Sequence, residues 1–257
     1  MKTAIITGAS SGLGREVARQ LTDVFPDIEC CWLIARREDR LEQTAREMVG
    51  VETVCMPLDL CDPMSFSTLS GRLAAEQPEV MLLVNCAGCG YLGLLGETDT
   101  ALETRMVDLN VRALTAVTNL VIPFMAAGGH ILNVSSIASF CPNPRMTVYS
   151  ASKAYVSSCT VGLSEELRRK HISVTAVCPG PMRTEFLDVG NITGKSRTFE
   201  LLPYCEQVQV AGGALRAARA GRTIYTPKLF YKFYRCLAKI TPVKLMVKIT
   251  KIGRAHV

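Results

Sequence analysis

Histidine is scarce in this 257-residue chain: there are three, His130, His171 and His256, far apart in sequence. So dispersed, they offer no ligand cluster for a metal. Long apolar stretches are missing too. No uninterrupted run approaches the ~18 residues that would suggest a membrane-spanning helix. A basic stretch followed by an apolar segment, the mark of a secretory signal, is absent from the N-terminus, which runs at once into a strand-like sequence. Aromatic residues make up 6%, with one tryptophan, Trp32, inside an apolar run where a core position is expected. Acidic residues stop before Thr226. Eight of the 29 Lys and Arg lie from Thr226 onward and none of the 23 Asp and Glu does, so the body keeps 21 basic residues and is slightly acidic. The net charge of +6 therefore belongs to the tail, and a nucleic-acid surface spread over the folded body is not expected. Cysteine is plentiful. There are eleven, an odd number, several within apolar runs, which fits a reduced cytoplasmic protein better than a disulfide framework.

Two motifs carry the chemistry. Tyr149 and Lys153 lie four residues apart, a spacing that places both on one helix face. A free phenol has a pKa near ~10, and a neighbouring ammonium favours its ionised form, so the pair reads as an acid/base. At the other end of the chain, Thr3–Gly8 reads as a buried strand running into a glycine turn, Thr7-Gly8-Ala9-Ser10-Ser11-Gly12-Leu13-Gly14. A helix with Val17, Leu21 and Val24 on one face follows it. Strand, glycine loop and helix N-terminus together form an anion site suited to a pyrophosphate.

With both motifs in one chain, residues 1–226 resemble a classical short-chain dehydrogenase/reductase. The resemblance implies a single α/β domain, a Rossmann-type doubly wound parallel sheet with strand order 3-2-1-4-5-6-7. It implies a catalytic set of Asn110, Ser136, Tyr149 and Lys153, with Ser136 chosen over Ser135 by its thirteen-residue distance from Tyr149. The glycine loop would contact the cofactor through Thr7, Gly8, Ser10, Ser11, Gly12, Leu13 and Gly14. Asp59 and Leu60 would meet the adenine, and Asn85, Ala87 and Gly88 the adenosine. Pro179, Gly180, Met182 and Thr184 would meet the nicotinamide end, with Thr184 on the carboxamide. One departure is Cys86, where the family commonly has asparagine; a side-chain amide that can brace neighbouring strands is lost. Cys86 and Cys89 form a Cys-x-x-Cys, but without a second ligand pair.

The family's chemistry is hydride transfer between a nicotinamide and a carbonyl or alcohol. In that scheme Tyr149 donates the proton, Ser136 holds the substrate oxygen, Lys153 lowers the tyrosine pKa and binds the ribose, and Asn110 positions a water. The second strand ends Leu33-Ile34-Ala35-Arg36-Arg37, with no acidic residue for a ribose 2′-hydroxyl. Guanidinium groups there suit a 2′-phosphate, so NADP is expected ahead of NAD, with Arg36 the main anchor and Arg37 beside it. The substrate is expected to be a small or medium apolar carbonyl or secondary alcohol, chosen by residues 91–95, 140–146 and 183–204. A non-catalytic cofactor-binding scaffold is the alternative, though Ser136, Tyr149 and Lys153 are all retained. A homodimer or tetramer through helices 100–123 and 149–169 is implied by the family.

Helices are expected over 12–24, 38–48, 63–76, 100–123, 149–169 and 206–220, alternating with strands. Residues 227–251 form a basic amphipathic extension, read as helices packed on their own domain, with contact to anionic lipid as the alternative. The last six residues, Ile252-Gly253-Arg254-Ala255-His256-Val257, match the codons ATC GGA AGA GCA CAC GTC of a common short-read sequencing adapter. The natural chain is therefore expected to depart from this one at about Lys251.

Overall fold

Seven strands account for the placement of everything else. In the computed structural model, which describes residues 1–190, 192 and 202–249, they are β1 (Lys2–Thr7), β2 (Cys30–Ala35), β3 (Glu52–Pro57), β4 (Glu79–Asn85), β5 (Met125–Val134), β6 (Ser173–Val177) and β7 (Ile224–Tyr225). All pair in parallel in the order β3-β2-β1-β4-β5-β6-β7, as expected from the family pattern. The suspected adapter residues, and the substrate-loop residues 193–201, lie outside the described residues.

Period-two alternation divides the core. Ala4, Ile6, Cys31, Leu33 and Val84 point to one face, where α1 (Gly12–Arg19), α2 (Leu21–Val24) and α9 (Gln207–Arg219) pack through Val17, Leu21, Val210 and Ala214. Ile5, Trp32, Ile34, Leu83 and Ile131 point to the other, against Leu69 and Leu73 of α4 (Pro63–Glu76) and Val117 and Val121 of α6 (Leu114–Val121). Trp32 is fully buried. The strand ends are level: Thr7 pairs with Ile34 and Asn85, and Asn85 with Asn133. The loops that follow therefore converge on one edge, where doubly wound sheets bind ligands.

Helix boundaries show local chemistry at work. α4 begins at Pro63 because the Asp62 carboxylate accepts from Met64 N at 2.9 Å, and proline tolerates the first helical turn. The expected helix 12–24 is two pieces, divided at Gln20, whose amide donates to Glu16 Oε1 and Val208 O. The expected helix 100–123 runs unbroken from Thr100 to Val121 as α5 (Thr100–Val107), a π turn at Asp108–Ala113, and α6. Pro123, with no N–H to continue the ladder, lies in the short 3₁₀ segment Ile122–Phe124 that follows α6. Between β2 and β3 runs α3 (Glu38–Arg46), and between β5 and β6 runs α7 (Thr147–Glu166), two residues ahead of its expected start. After β6 come α8 (Glu185–Val189) and, beyond β7, α10 (Leu229–Ile240) and α11 (Val243–Ile249). No described helix is long and apolar enough to cross a membrane.

Candidate active site

At the carboxyl edge of the sheet lies a cavity of about 540 Å³. The β1–α1 loop forms one wall. Gly8, in the left-handed region at φ 70°, brings the loop so close to β4 that an added Cβ would sit 2.8 Å from Ala87 N. Ser11 precedes α1 with an extended backbone and no side-chain cap, and the first turn holds no acidic residue. The N–H groups at this helix start are left for an anion. Gly8, Ser10, Ser11, Gly12, Leu13 and Gly14 all border the cavity.

Thr7 does not border it. Its Oγ1 donates to Val84 O and accepts from Cys86 N and Ala87 N at 3.1 and 3.2 Å, fastening β1 to the end of β4. Asn85 also turns away: its amide donates to Thr118 Oγ1 and Asn133 Oδ1, both at 2.9 Å, and Asn133 donates on to Thr160 Oγ1. This buried network joins β4, β5, α6 and α7, and with Thr7 it braces the strand ends at the position where Cys86 brings no amide. Ala87 and Gly88 do border the cavity, while the Cys86 thiol is pushed up to about 12 by burial.

Asn110 lies behind the cavity wall beside Lys153: a Cβ built on Gly88 would be 3.1 Å from its Oδ1 and 3.3 Å from Lys153 Nζ. Held by the π turn, Asn110 accepts from Cys89 N at 2.9 Å and donates to Cys89 O at 2.8 Å and Ser152 Oγ at 3.0 Å. Its side chain braces the loop after β4 against α7, and its polar atoms have protein partners.

Ser136, Tyr149 and Lys153 meet on the cavity floor. Lys153 Nζ donates to Val134 O at 2.9 Å and lies 5.9 Å from the Tyr149 ring centroid. Burial pushes the Tyr149 phenol up to about 12, opposed by a hydrogen bond with Ser136, and pushes Lys153 down to about 8. Desolvation is the largest influence on both groups, and Lys153 is turned to the β5 carbonyl. The Tyr149 ring also packs at a tilt against Phe186, with centroids 5.7 Å apart.

Arg36 and Arg37 border the opposite end with Asp59 and Leu60. Arg37 is ion-paired to Glu185 at 2.9 Å, joining the end of β2 to α8 across the cavity mouth. Asp59 accepts from Cys61 N at 3.0 Å and from Arg105 at 3.3 Å; burial would raise its pKa, but these bonds and the Arg105 charge bring it below its usual value. Pro179, Gly180, Met182 and Thr184 line the third side.

Sequence reasoning missed the roof. Phe230, Tyr231 and Tyr234 of α10 border the cavity. Tyr231 is fully buried, donates to Pro203 O at 2.8 Å, and presses its ring on Gly180. The signal was present as aromatics at positions 230, 231 and 234 of the basic tail. Of the stretches expected to choose the substrate, Asn143, Met146, Phe186, Leu187 and Leu202 reach the cavity, whereas Tyr91, Leu95 and Phe140 do not border it.

Residues 2–191 match the family model described as short chain dehydrogenase. Sulfoacetaldehyde reductase 2 of Chromohalobacter salexigens is 36% identical over 189 residues, 71% of this chain and 73% of that protein. A short-chain dehydrogenase from Sphingobium yanoikuyae, solved in complex with NADPH, superposes with TM-score 0.81 at 28% identity, covering 100% of this chain and 98% of that one. A short chain dehydrogenase/reductase from Burkholderia phymatum, solved with NAD, gives TM-score 0.80 at 23% identity over 97% and 95% of the two chains, a likeness of fold.

Proposed function

This chain belongs to the short-chain dehydrogenase/reductase family, and from that premise we propose that it is an NADP(H)-dependent oxidoreductase interconverting an apolar ketone or aldehyde and its alcohol. The observation that carries the reading is the meeting of Ser136, Tyr149 and Lys153 at the floor of a cavity whose other end holds Arg36 and the uncapped start of α1.

The nicotinamide, when bound, supplies or accepts the hydride. Tyr149, kept neutral by burial, has a proton to give to a carbonyl oxygen, and Ser136 steadies the same oxygen by a hydrogen bond. Once the proton has left, the phenolate is balanced by the Lys153 ammonium one helical turn away, which also serves the ribose hydroxyls. Asn110 acts by fixing Cys89 and Ser152, and so the wall beside Lys153. The residues fit the group on two counts: the uncapped α1 N-terminus suits a pyrophosphate, and Arg36 and Arg37 with no acid at the β2 end suit a 2′-phosphate. Arg36 is the less encumbered anchor, since Arg37 already pairs with Glu185. Phe186, Leu187, Met146, Phe230 and Tyr234 give the substrate side an apolar character.

Association through α5, α6 and α7 belongs to the same proposal, as it would cover Val107, Tyr155 and Val161, which the single chain leaves exposed. The deciding experiment is NADPH oxidation over a panel of aromatic, steroid and long-chain carbonyls with NADH in parallel. Turnover with NADPH supports the reading; cofactor binding without turnover on any member would leave a binding scaffold in its place.

A further inference from the structure

α10 has two apolar sides. The inner side carries Tyr231 and Tyr234 into the cavity wall. On the outer side Leu229, Phe233, Cys236 and Ile240, spaced four, three and four residues apart, form one stripe along the helix. Nothing in the described fold covers it: Leu229, Phe233 and Ile240 are 80%, 68% and 82% exposed. Val243 and Leu245 of α11 continue the exposed apolar surface. Contiguous apolar surface of this kind marks an interaction face rather than a solvated one.

Charge identifies the occupant. Lys232 and Lys239 run along one edge of the stripe, Lys244 and Lys248 follow on α11, and no acidic residue lies anywhere from Thr226 onward. A second copy docking stripe to stripe by a two-fold axis would bring two lysine-edged faces together with no carboxylate in either tail to pair them. An anionic lipid surface satisfies both features, apolar residues sinking between headgroups while the ammonium groups meet phosphates.

We propose that the outer face of α10, continued by α11, docks this protein on anionic membrane surfaces. The cavity roof and the docking face are then two sides of one helix, so an apolar substrate dissolved in the bilayer reaches a mouth lined by Phe230 and Tyr234. That last consequence rests on the oxidoreductase reading; the docking itself does not.

The test uses the full chain with vesicles of phosphatidylglycerol or of phosphatidylcholine, at low and high salt. Cosedimentation with phosphatidylglycerol, falling with salt by about fivefold for each basic residue engaged, and little with phosphatidylcholine, is expected. Phe233→Glu with Ile240→Glu should abolish binding, and Lys232→Glu with Lys239→Glu should do the same, with unchanged thermal unfolding in both because the side chains are exposed. Cys236, the exposed cysteine among those described, gives a second readout: an environment-sensitive thiol dye there should shift to the blue on anionic vesicles. No sedimentation with phosphatidylglycerol at low salt overturns the proposal. So does undiminished binding by the Phe233/Ile240 variant, or a wild-type dimer that this variant turns into monomers. Vesicle binding by a protein that reduces no carbonyl would leave docking intact and remove the proposed activity.

Discussion

Gly180 and Tyr231 offer a quantitative probe of how the tail is joined to the catalytic body. A Cβ built on Gly180 would overlap Cε2 and Cζ of the Tyr231 ring and lie 2.6 Å from its hydroxyl oxygen. Neither partner has room to withdraw. The turn is fixed by Ile137 N donating to Pro179 O at 3.0 Å, and the ring is fully buried with its hydroxyl on Pro203 O. Overpacking of this kind costs about 1–3 kcal/mol, and expelling a large aromatic ring about 3–5 kcal/mol. Gly180→Ala should therefore destabilise by about 2–3 kcal/mol, a fall in Tm of roughly 4–12 °C for a domain of this size. Tyr231→Ala alone should lose about 3–5 kcal/mol. In the double variant the overlap no longer exists, so the cost should be close to that of Tyr231→Ala, with a coupling of about 2–3 kcal/mol. Trp32, the single tryptophan and fully buried, reports urea unfolding directly through its emission. Additive losses in that cycle would show that ring and turn do not interlock, and the tail would have to be regarded as loosely attached.

Three further outcomes are expected. Tyr149→Phe should remove nearly all turnover and leave NADPH affinity, measured by quenching or calorimetry, within about twofold, since only a transferable proton is lost; wild-type turnover would disqualify Tyr149 as the acid. Arg36→Asp should weaken NADPH by about 10–100-fold, as expected for a lost charge-assisted phosphate contact of ~1.5–3 kcal/mol, and NADH little; an unchanged affinity ratio would make Arg36 a surface residue. The third concerns pH. Lys153 falls from 10.5 in the unfolded chain to about 8 in the folded one, so between those values the unfolded chain binds the extra proton and stability rises with pH. Buried thiols such as Cys86 act in the opposite direction above their ordinary pKa of 9. The comparison is therefore wild type against Lys153→Met: the stability difference should move in favour of wild type from pH 8 to 10.5, and a flat difference would contradict the buried ammonium.

The sheet was legible in the sequence because its strands are buried on both faces and read as short apolar runs between glycine loops and amphipathic stretches. The order of the strands came from the family pattern. The cavity end of the glycine loop and the Tyr149–Lys153 pair were likewise visible, as spacing alone carries them. Thr7 and Asn85 were harder: motif position puts them beside the cavity, while hydrogen bonds to distant Val84 and Asn133 make them braces, as the bond to Ser152 does for Asn110. Such partners lie up to 77 residues away and leave no periodic trace. The carbonyl partner of Lys153 on β5 and its degree of burial are tertiary facts of the same kind. The roof escaped notice because a basic tail with dispersed aromatics has the same one-dimensional appearance whether its rings face a cavity or a bilayer.

The π turn at Asp108–Ala113 has a bearing on insertions and deletions. A π turn accommodates one residue more than the α turn it replaces, and such turns occur mostly as single bulges at functional sites. Removing one residue from this stretch would let α5 and α6 merge into a continuous α-helix without rotating Leu114, Val117 and Val121 away from the sheet. The architecture could thus shed a residue here at little loss of packing, and a shortened chain would fold. What it would forfeit is the outward step that carries Asn110 to Cys89 and Ser152. In this helix the supernumerary residue serves the bracing of the loop after β4 rather than the packing on the sheet, so the two can be separated.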